Sequence, residues 1–155
     1  MIVASKCNAR PEEFPKPLGV SHKLEQQRNM VSRILVVEFD ESTIRSLRAC
    51  LQAAGFEVIQ ASDGNTAWEL IQTRTPILVL MGATLPGLNS FEIIRRVRRS
   101  KQMAELPMVI LGDSVSTEEM VEWFKLGADK YISKPFSTQL LVAQIRAILR
   151  RVYAR

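Results

Sequence analysis

The sequence predicts an α/β fold: a parallel sheet of five strands with helices on both faces. Two observations carry this. Five strand-like apolar runs alternate with five stretches of helical periodicity through short connections, an order that gives parallel strands and right-handed crossovers. The third run, Ile77 to Met81, is apolar at every position, opened by Pro76 and closed by Gly82 and a Pro86-Gly87 turn. Such a run reads as a strand buried on both faces. Open α/β sheets hold their active crevice at the C-terminal ends of the strands, so chemistry is expected near Gly82. That residue has no side chain to perform any.

The first strand is Ile34 to Val37, followed by a loop of Glu38, Phe39, Asp40 and Glu41. Ser42 is the expected N-cap of the first helix, in which Ile44, Leu47, Leu51 and Ala54 recur at helical spacing before Gly55 stops it. Cys50 falls on the same face and reads as a core thiol rather than a reactive one. Phe56 to Gln60 alternates like a strand nearer an edge. Gly64 to Thr73 is a second helix, with Trp68 as a packing residue. After the central strand, a third helix starts near Ser90 with Phe91, Ile93, Ile94 and Val97 apolar. Met108 to Leu111 is a fourth strand, Glu118 to Leu126 a fourth helix ended by Gly127, and Tyr131-Ile132 a short fifth strand. Pro135 breaks the chain, Ser137 caps, and Leu140, Leu141, Ile145, Ile148 and Leu149 line a fifth helix.

Bulk composition excludes several classes. At 155 residues the chain holds one domain's worth of core, and 46% hydrophobic with 24% charged residues is globular rather than disordered. No apolar run approaches the ~20 residues of a membrane span. The start, M-I-V-A-S-K-C-N-A-R-P, lacks the apolar core of a secretory signal. Two cysteines, Cys7 and Cys50, make no disulfide framework, and the cytoplasm is expected. Residues 1–30, with Pro11, Pro15, Pro17 and Gly19, read as a flexible tail in which Leu24 to Met30 could form a short helix; residues 31–155 read as the domain. A net charge of +5 fits an acidic partner or weak attraction to nucleic acid, or more plainly a solvated basic surface.

Three stretches carry a family signature: I-L-V-V-E-F-D at 34–40, P-I-L-V-L-M-G-A-T-L-P-G from Pro76, and L-G-A-D-K-Y-I-S-K-P-F at 126–136. The sequence resembles, from Ser32 to Arg151, the receiver domain of bacterial two-component response regulators. The resemblance implies a flavodoxin-like (βα)5 doubly wound sheet with strand order 2-1-3-4-5. It also implies a site. Receivers bind Mg²⁺ with an acidic pair after the first strand and a phosphate-accepting Asp at the end of the third. A hydroxyl ends the fourth strand, an aromatic residue precedes the Lys-Pro pair, and the lysine contacts the phosphoryl group. Here the acidic pair falls on Glu38 and Phe39, the acceptor on Gly82, the hydroxyl on Gly112, the aromatic on Tyr131 and the lysine on Lys134.

Three of these positions depart from the pattern. An acyl phosphate needs a carboxylate, and Gly82 has none. Phe39 puts an apolar ring where a hard cation wants oxygen, and Gly112 has no hydroxyl. The implied reading is a degenerate phosphorylation site without catalytic residues, metal or cofactor, in a pseudo-receiver that signals by binding proteins. Lys134 is expected to pair with Glu38 first and Asp113 second, and Tyr131 to turn inward over Gly112. The expected partner is a histidine kinase, another regulator or a scaffold.

In receivers the face of helix four, strand five and helix five is the usual docking and dimerisation surface. Here Val121, Trp123 and Phe124, with Lys125, Lys130, Arg146 and Arg150 nearby, make it a candidate interface and homodimer surface. The end of the chain at the fifth helix leads one to expect no attached output domain. Two other functions fit parts of the sequence. One is phosphotransfer through a substitute carboxylate among Glu38, Asp40 and Asp113, with Thr84 where the family contributes a backbone carbonyl to the metal. The other is nucleic-acid binding by Arg95, Arg96, Arg98, Arg99 and Lys101, which span both sides of a helix and come with no recognition motif.

Overall fold

The computed structural model describes residues 32–113 and 116–153; the tail 1–30 expected from the sequence, and Cys7 within it, lies outside the described residues. The third strand, β3 (Leu78–Gly82), is buried at all five positions, as is β4 (Met108–Gly112). Between flanking strands and two helical layers neither has a face left for water, which is why their sequences are apolar without alternation. The remaining strands are β1 (Arg33–Val37), β2 (Glu57–Ala61) and β5 (Lys130–Ser133). All pairings are parallel in the order β2-β1-β3-β4-β5. At the edge, β2 keeps Val58 and Ala61 buried while Glu57 and Gln60 face solvent.

The helices are α1 (Glu41–Ala53), α2 (Gly64–Arg74), α3 (Ser90–Arg99), α4 (Thr117–Leu126) and α5 (Thr138–Tyr153). One face of the sheet is covered by α1 and α5, whose Leu47, Leu51, Leu141, Ile145, Ile148 and Leu149 join Ile34, Val36, Leu80 and Leu111 in one core. The other face is covered by α2, α3 and α4, whose Ala67, Ile71, Ile93, Ile94, Val97 and Trp123 join Leu35, Val37, Met81 and Ile110. The sheet is therefore doubly wound.

Helix ends follow their local chemistry. Gly55 and Gly127 stop α1 and α4 at φ of 100° and 116°, a conformation that costs other residues a Cβ clash. Ser137 accepts a hydrogen bond from the Leu140 N–H. The start of α1 corrects the expectation of Ser42 as its cap. Asp40 is the N-cap: its carboxylate accepts from the Thr43 N–H at 3.0 Å and the Thr43 hydroxyl at 2.6 Å. Both residues are good caps, and the backbone leaves the loop early enough for Asp40 to serve.

Candidate functional site

Strand register brings the candidate residues to one edge. Val37 pairs with Met81, Gly82 with Leu111 and Gly112 with Ser133, so Glu38, Gly82, Gly112 and Lys134 meet at the C-terminal end of the sheet. The backbone fixes this convergence. The Glu38 N–H donates to the Ala61 carbonyl at 3.0 Å and the Lys134 N–H to the Gly112 carbonyl at 2.8 Å. The Lys134–Pro135 peptide is cis.

Glu38 is the centre of the site. It is only 2% exposed, and a buried carboxylate must be paired and hydrogen-bonded. Lys134 Nζ donates to its Oε1 at 3.1 Å. Its Oε2 accepts from the Phe39 and Asp40 N–H groups, each at 3.2 Å. Its carboxylate also fills the space that Gly82 leaves: a β-carbon added at Gly82 would stand 3.0 Å from Glu38 Oε1 and 3.5 Å from its Cδ.

The other carboxylates stand apart from this pair. Asp40 is exposed, and its bonds to Thr43, the side chain first, hold its carboxyl below the usual range. Asp113 is exposed, and Lys134 forms its ion pair with Glu38 rather than with it. Phe39 turns its ring to solvent at 55% exposure. Mg²⁺ asks for near-octahedral oxygen ligation. Glu38 has both oxygens engaged, Phe39 offers none and Gly82 has no side chain, so these residues do not fit that ion. Among the described residues no group of three His, Cys, Asp or Glu side chains is placed to hold a metal.

Tyr131 turns inward. Its hydroxyl lies against Gly112, in the space a β-carbon there would need, and the added atom would also meet Cζ at 3.2 Å and the Ala83 Cβ at 3.0 Å. The ring packs against the core beneath α3 and α4. Among the described residues the buried hydroxyl has no hydrogen-bond partner. Burial first, and then the charges of Asp113 and Glu119, push the phenol up from its ordinary value.

The expected interface divides. Trp123 belongs to the core and not to the docking face: it is 2% exposed and stacks on Phe91 with ring centroids 3.8 Å apart. Val121 and Phe124, three residues apart and so on one face of α4, are 44% and 48% exposed. Arg146 also leaves that face, since its guanidinium donates to the Ala54 carbonyl at the end of α1.

Two residues take structural roles that their sequence positions do not announce, Ser90 at this edge and Arg98 beside the starts of β4 and β5. Ser90 is buried and its hydroxyl donates to the Gly82 carbonyl at 2.8 Å, which ties the start of α3 to the end of β3. Arg98 donates to the carbonyls of Gly127, Ala104 and Leu106 and to the Asp129 carboxylate. Of its neighbours, Arg95 and Arg96 pair with Glu92, and Arg96 lies 5.5 Å from the centre of the Trp68 ring. No local pattern announces a reach like that of Arg98.

Comparison with known proteins follows the same lines. The family model for the response regulator receiver domain matches residues 34–146. The phosphate regulon transcriptional regulatory protein PhoB of Pseudomonas aeruginosa is 35% identical over 123 residues, which is 79% of this chain and 54% of that protein. PhoB of Rhizobium meliloti is 38% identical over 122 residues, with the same shares of 79% and 54%. The chain thus spans about half the length of these relatives. Among solved structures, the chemotaxis response regulator CheY4 of Vibrio cholerae superposes with a TM-score of 0.71 at 26% identity, over 77% of this chain and 99% of that one. A CheY-like receiver domain protein of Methanospirillum hungatei, at 24% identity, TM-score 0.72 and 79% and 96% coverage, shares the fold.

Proposed function

The chain belongs to the response regulator receiver domain family, and on that basis we propose that it is a cytoplasmic receiver-type signalling module that works without phosphorylation, by binding a protein partner. One observation carries this proposal. Where the family resemblance puts the phosphate-accepting Asp stands Gly82, and Glu38 Oε1, already bound by Lys134, lies 3.0 Å from its absent β-carbon. Gly82 offers no nucleophile to form an acyl phosphate, and the lysine that would meet the phosphoryl group is held by a carboxylate.

The protein's output would then be a surface rather than a reaction. Val121 and Phe124 on α4, near Lys125 and with Lys130 on the neighbouring edge strand β5, form an apolar patch edged by cations, the composition of an interface anchor. A histidine kinase, another regulator, a scaffold or a second copy of the chain would suit it. Phosphotransfer through a substitute carboxylate is disfavoured because Asp40 is engaged in capping α1. Nucleic-acid binding through α3 is disfavoured because Arg98 is turned to the carbonyls of Gly127 and Leu106.

The test is incubation with acetyl phosphate and Mg²⁺ followed by intact-mass measurement. The mass should stay unchanged. A gain of one phosphoryl group that disappears in Asp40→Asn or Asp113→Asn overturns the proposal.

A further inference from the structure

We propose that Glu38 acts as a built-in ligand: its carboxylate occupies a seat for a small carboxylate anion formed by Lys134, two backbone N–H groups and the space over Gly82. The inference deepens the phosphorylation-independent reading and rests on it, since the same crevice is concerned.

Each wall of the seat can be named. Lys134 Nζ approaches one oxygen at 3.1 Å, and the N–H groups of Phe39 and Asp40 approach the other at 3.2 Å each. The floor is Gly82, where even one added carbon would stand 3.0 Å from the bound oxygen. Its backbone is held from below by the Ser90 hydroxyl. An ammonium, two convergent N–H donors and a glycine floor recognise a planar anion by charge and fit, whichever chain supplies it. The seat's cation also faces solvent: Lys134 lines an open groove of about 370 Å³ together with Ser42, Thr43 and Ser46 of α1, Asp113 and Phe136.

The chemistry offers a direct substitution. Glu38→Ala removes Cγ and the carboxyl group, which together have the heavy atoms of acetate. If the seat is built for the anion, free acetate should take the place of the lost side chain, with Lys134 as its counter-ion.

The experiment measures thermal unfolding of the full chain, Glu38→Ala and Glu38→Ala/Lys134→Gln in sodium acetate against sodium chloride at matched ionic strength. Glu38→Ala should show a saturable rise in Tm of about 4 °C or more in acetate. Wild type, its seat filled, and the double variant, its cation gone, should show none. If Glu38→Ala does not fold in chloride, recovery of folded protein on refolding in acetate supports the proposal and failure to recover overturns it. Equal responses in all three proteins, or none in Glu38→Ala, also overturn it. A covalent phosphate gain would defeat the functional reading instead, so the two failures are distinguishable.

Discussion

The hydroxyl of Tyr131 stands where a β-carbon on residue 112 would be, so the inward position of the ring depends on Gly112 having none. Gly112 does not lie in the left-handed region, and alanine is therefore compatible with its backbone. The main conflict is with the ring, and a milder one with the Ala83 Cβ at 3.0 Å.

Gly112→Ala should push Tyr131 out of its pocket, and the phenol reports this. The chain has two tyrosines, Tyr131 and Tyr153, and burial raises both above the ordinary value. A raised folded pKa means that the native state holds its proton longer than the unfolded chain. Stability from these groups is thus complete below pH ~10 and is lost as pH rises beyond it. In wild type, phenolate absorbance should develop only above the ordinary tyrosine range. In Gly112→Ala one tyrosine should titrate near pH ~10, and the alkaline loss of stability should shrink. An unchanged titration refutes the steric account.

The Glu38–Lys134 pair should be asymmetric to mutation. Lys134→Met strands a carboxylate whose side chain is 3% exposed, whereas Glu38→Gln leaves a lysine that is 23% exposed and close to water. Removing one partner of a buried pair costs about 3–5 kcal/mol. Lys134→Met should fall near the lower end, about 3 kcal/mol, and Glu38→Gln should cost about 1 kcal/mol. Urea unfolding of both variants gives the order, and the reverse order contradicts it.

Restoring an aspartate at the end of β3 should not restore phosphorylation. In Gly82→Asp the new Cβ meets Glu38 Oε1 at 3.0 Å, and two carboxylates then compete for Lys134. The variant should lose about 1–2 kcal/mol of stability. It should also remain unmodified by acetyl phosphate, since Phe39 and Gly112 are unchanged. Intact mass and urea unfolding check both halves.

The two aromatic neighbours on α4 should separate cleanly. Trp123→Ala opens a cavity beneath α4 and should cost about 3–5 kcal/mol. Phe124→Ala, at 48% exposure, should stay within about 0.5 kcal/mol of wild type while weakening capture of the partner. A Phe124→Ala variant that unfolds early, or binds unchanged, removes it from the interface.

Arg98 should behave as a structural residue. Its guanidinium joins α3, the 104–106 segment and the end of α4 through the Ala104, Leu106 and Gly127 carbonyls. Arg98→Ala should cost about 2 kcal/mol, while Arg99→Ala, on an exposed position, should be near neutral in chemical unfolding.

Much of this was legible in the sequence because the signals were local or periodic. The unbroken apolar run of β3, the alternation of β2 and the glycine stops after α1 and α4 each depend on a few adjacent residues. The pairing of Glu38 with Lys134 was legible once strand order was expected, because the ends of β1 and β4 then flank Gly82 and the loop after β5 lies beside them. The phase of α4 was not. With Met120, Val121, Trp123, Phe124 and Leu126 all apolar, helical spacing admits more than one inward face, and only packing against Phe91 selects Trp123. The cap of α1 was ambiguous between Asp40 and Ser42 for a similar reason, two good capping residues standing two positions apart. Arg98 was hidden because its partners are carbonyls from distant segments, and carbonyls have no signature in a sequence.

Glu38's carboxylate in the crevice has a consequence for timing. A covalent mark can be written and erased many times during one molecule's life, so a receiver that depends on it reports events faster than the protein turns over. A carboxylate supplied by the chain itself is installed at translation and leaves only with the polypeptide. On this reading the quantity that carries information is the number of copies present, and its response is set by synthesis, dilution and proteolysis.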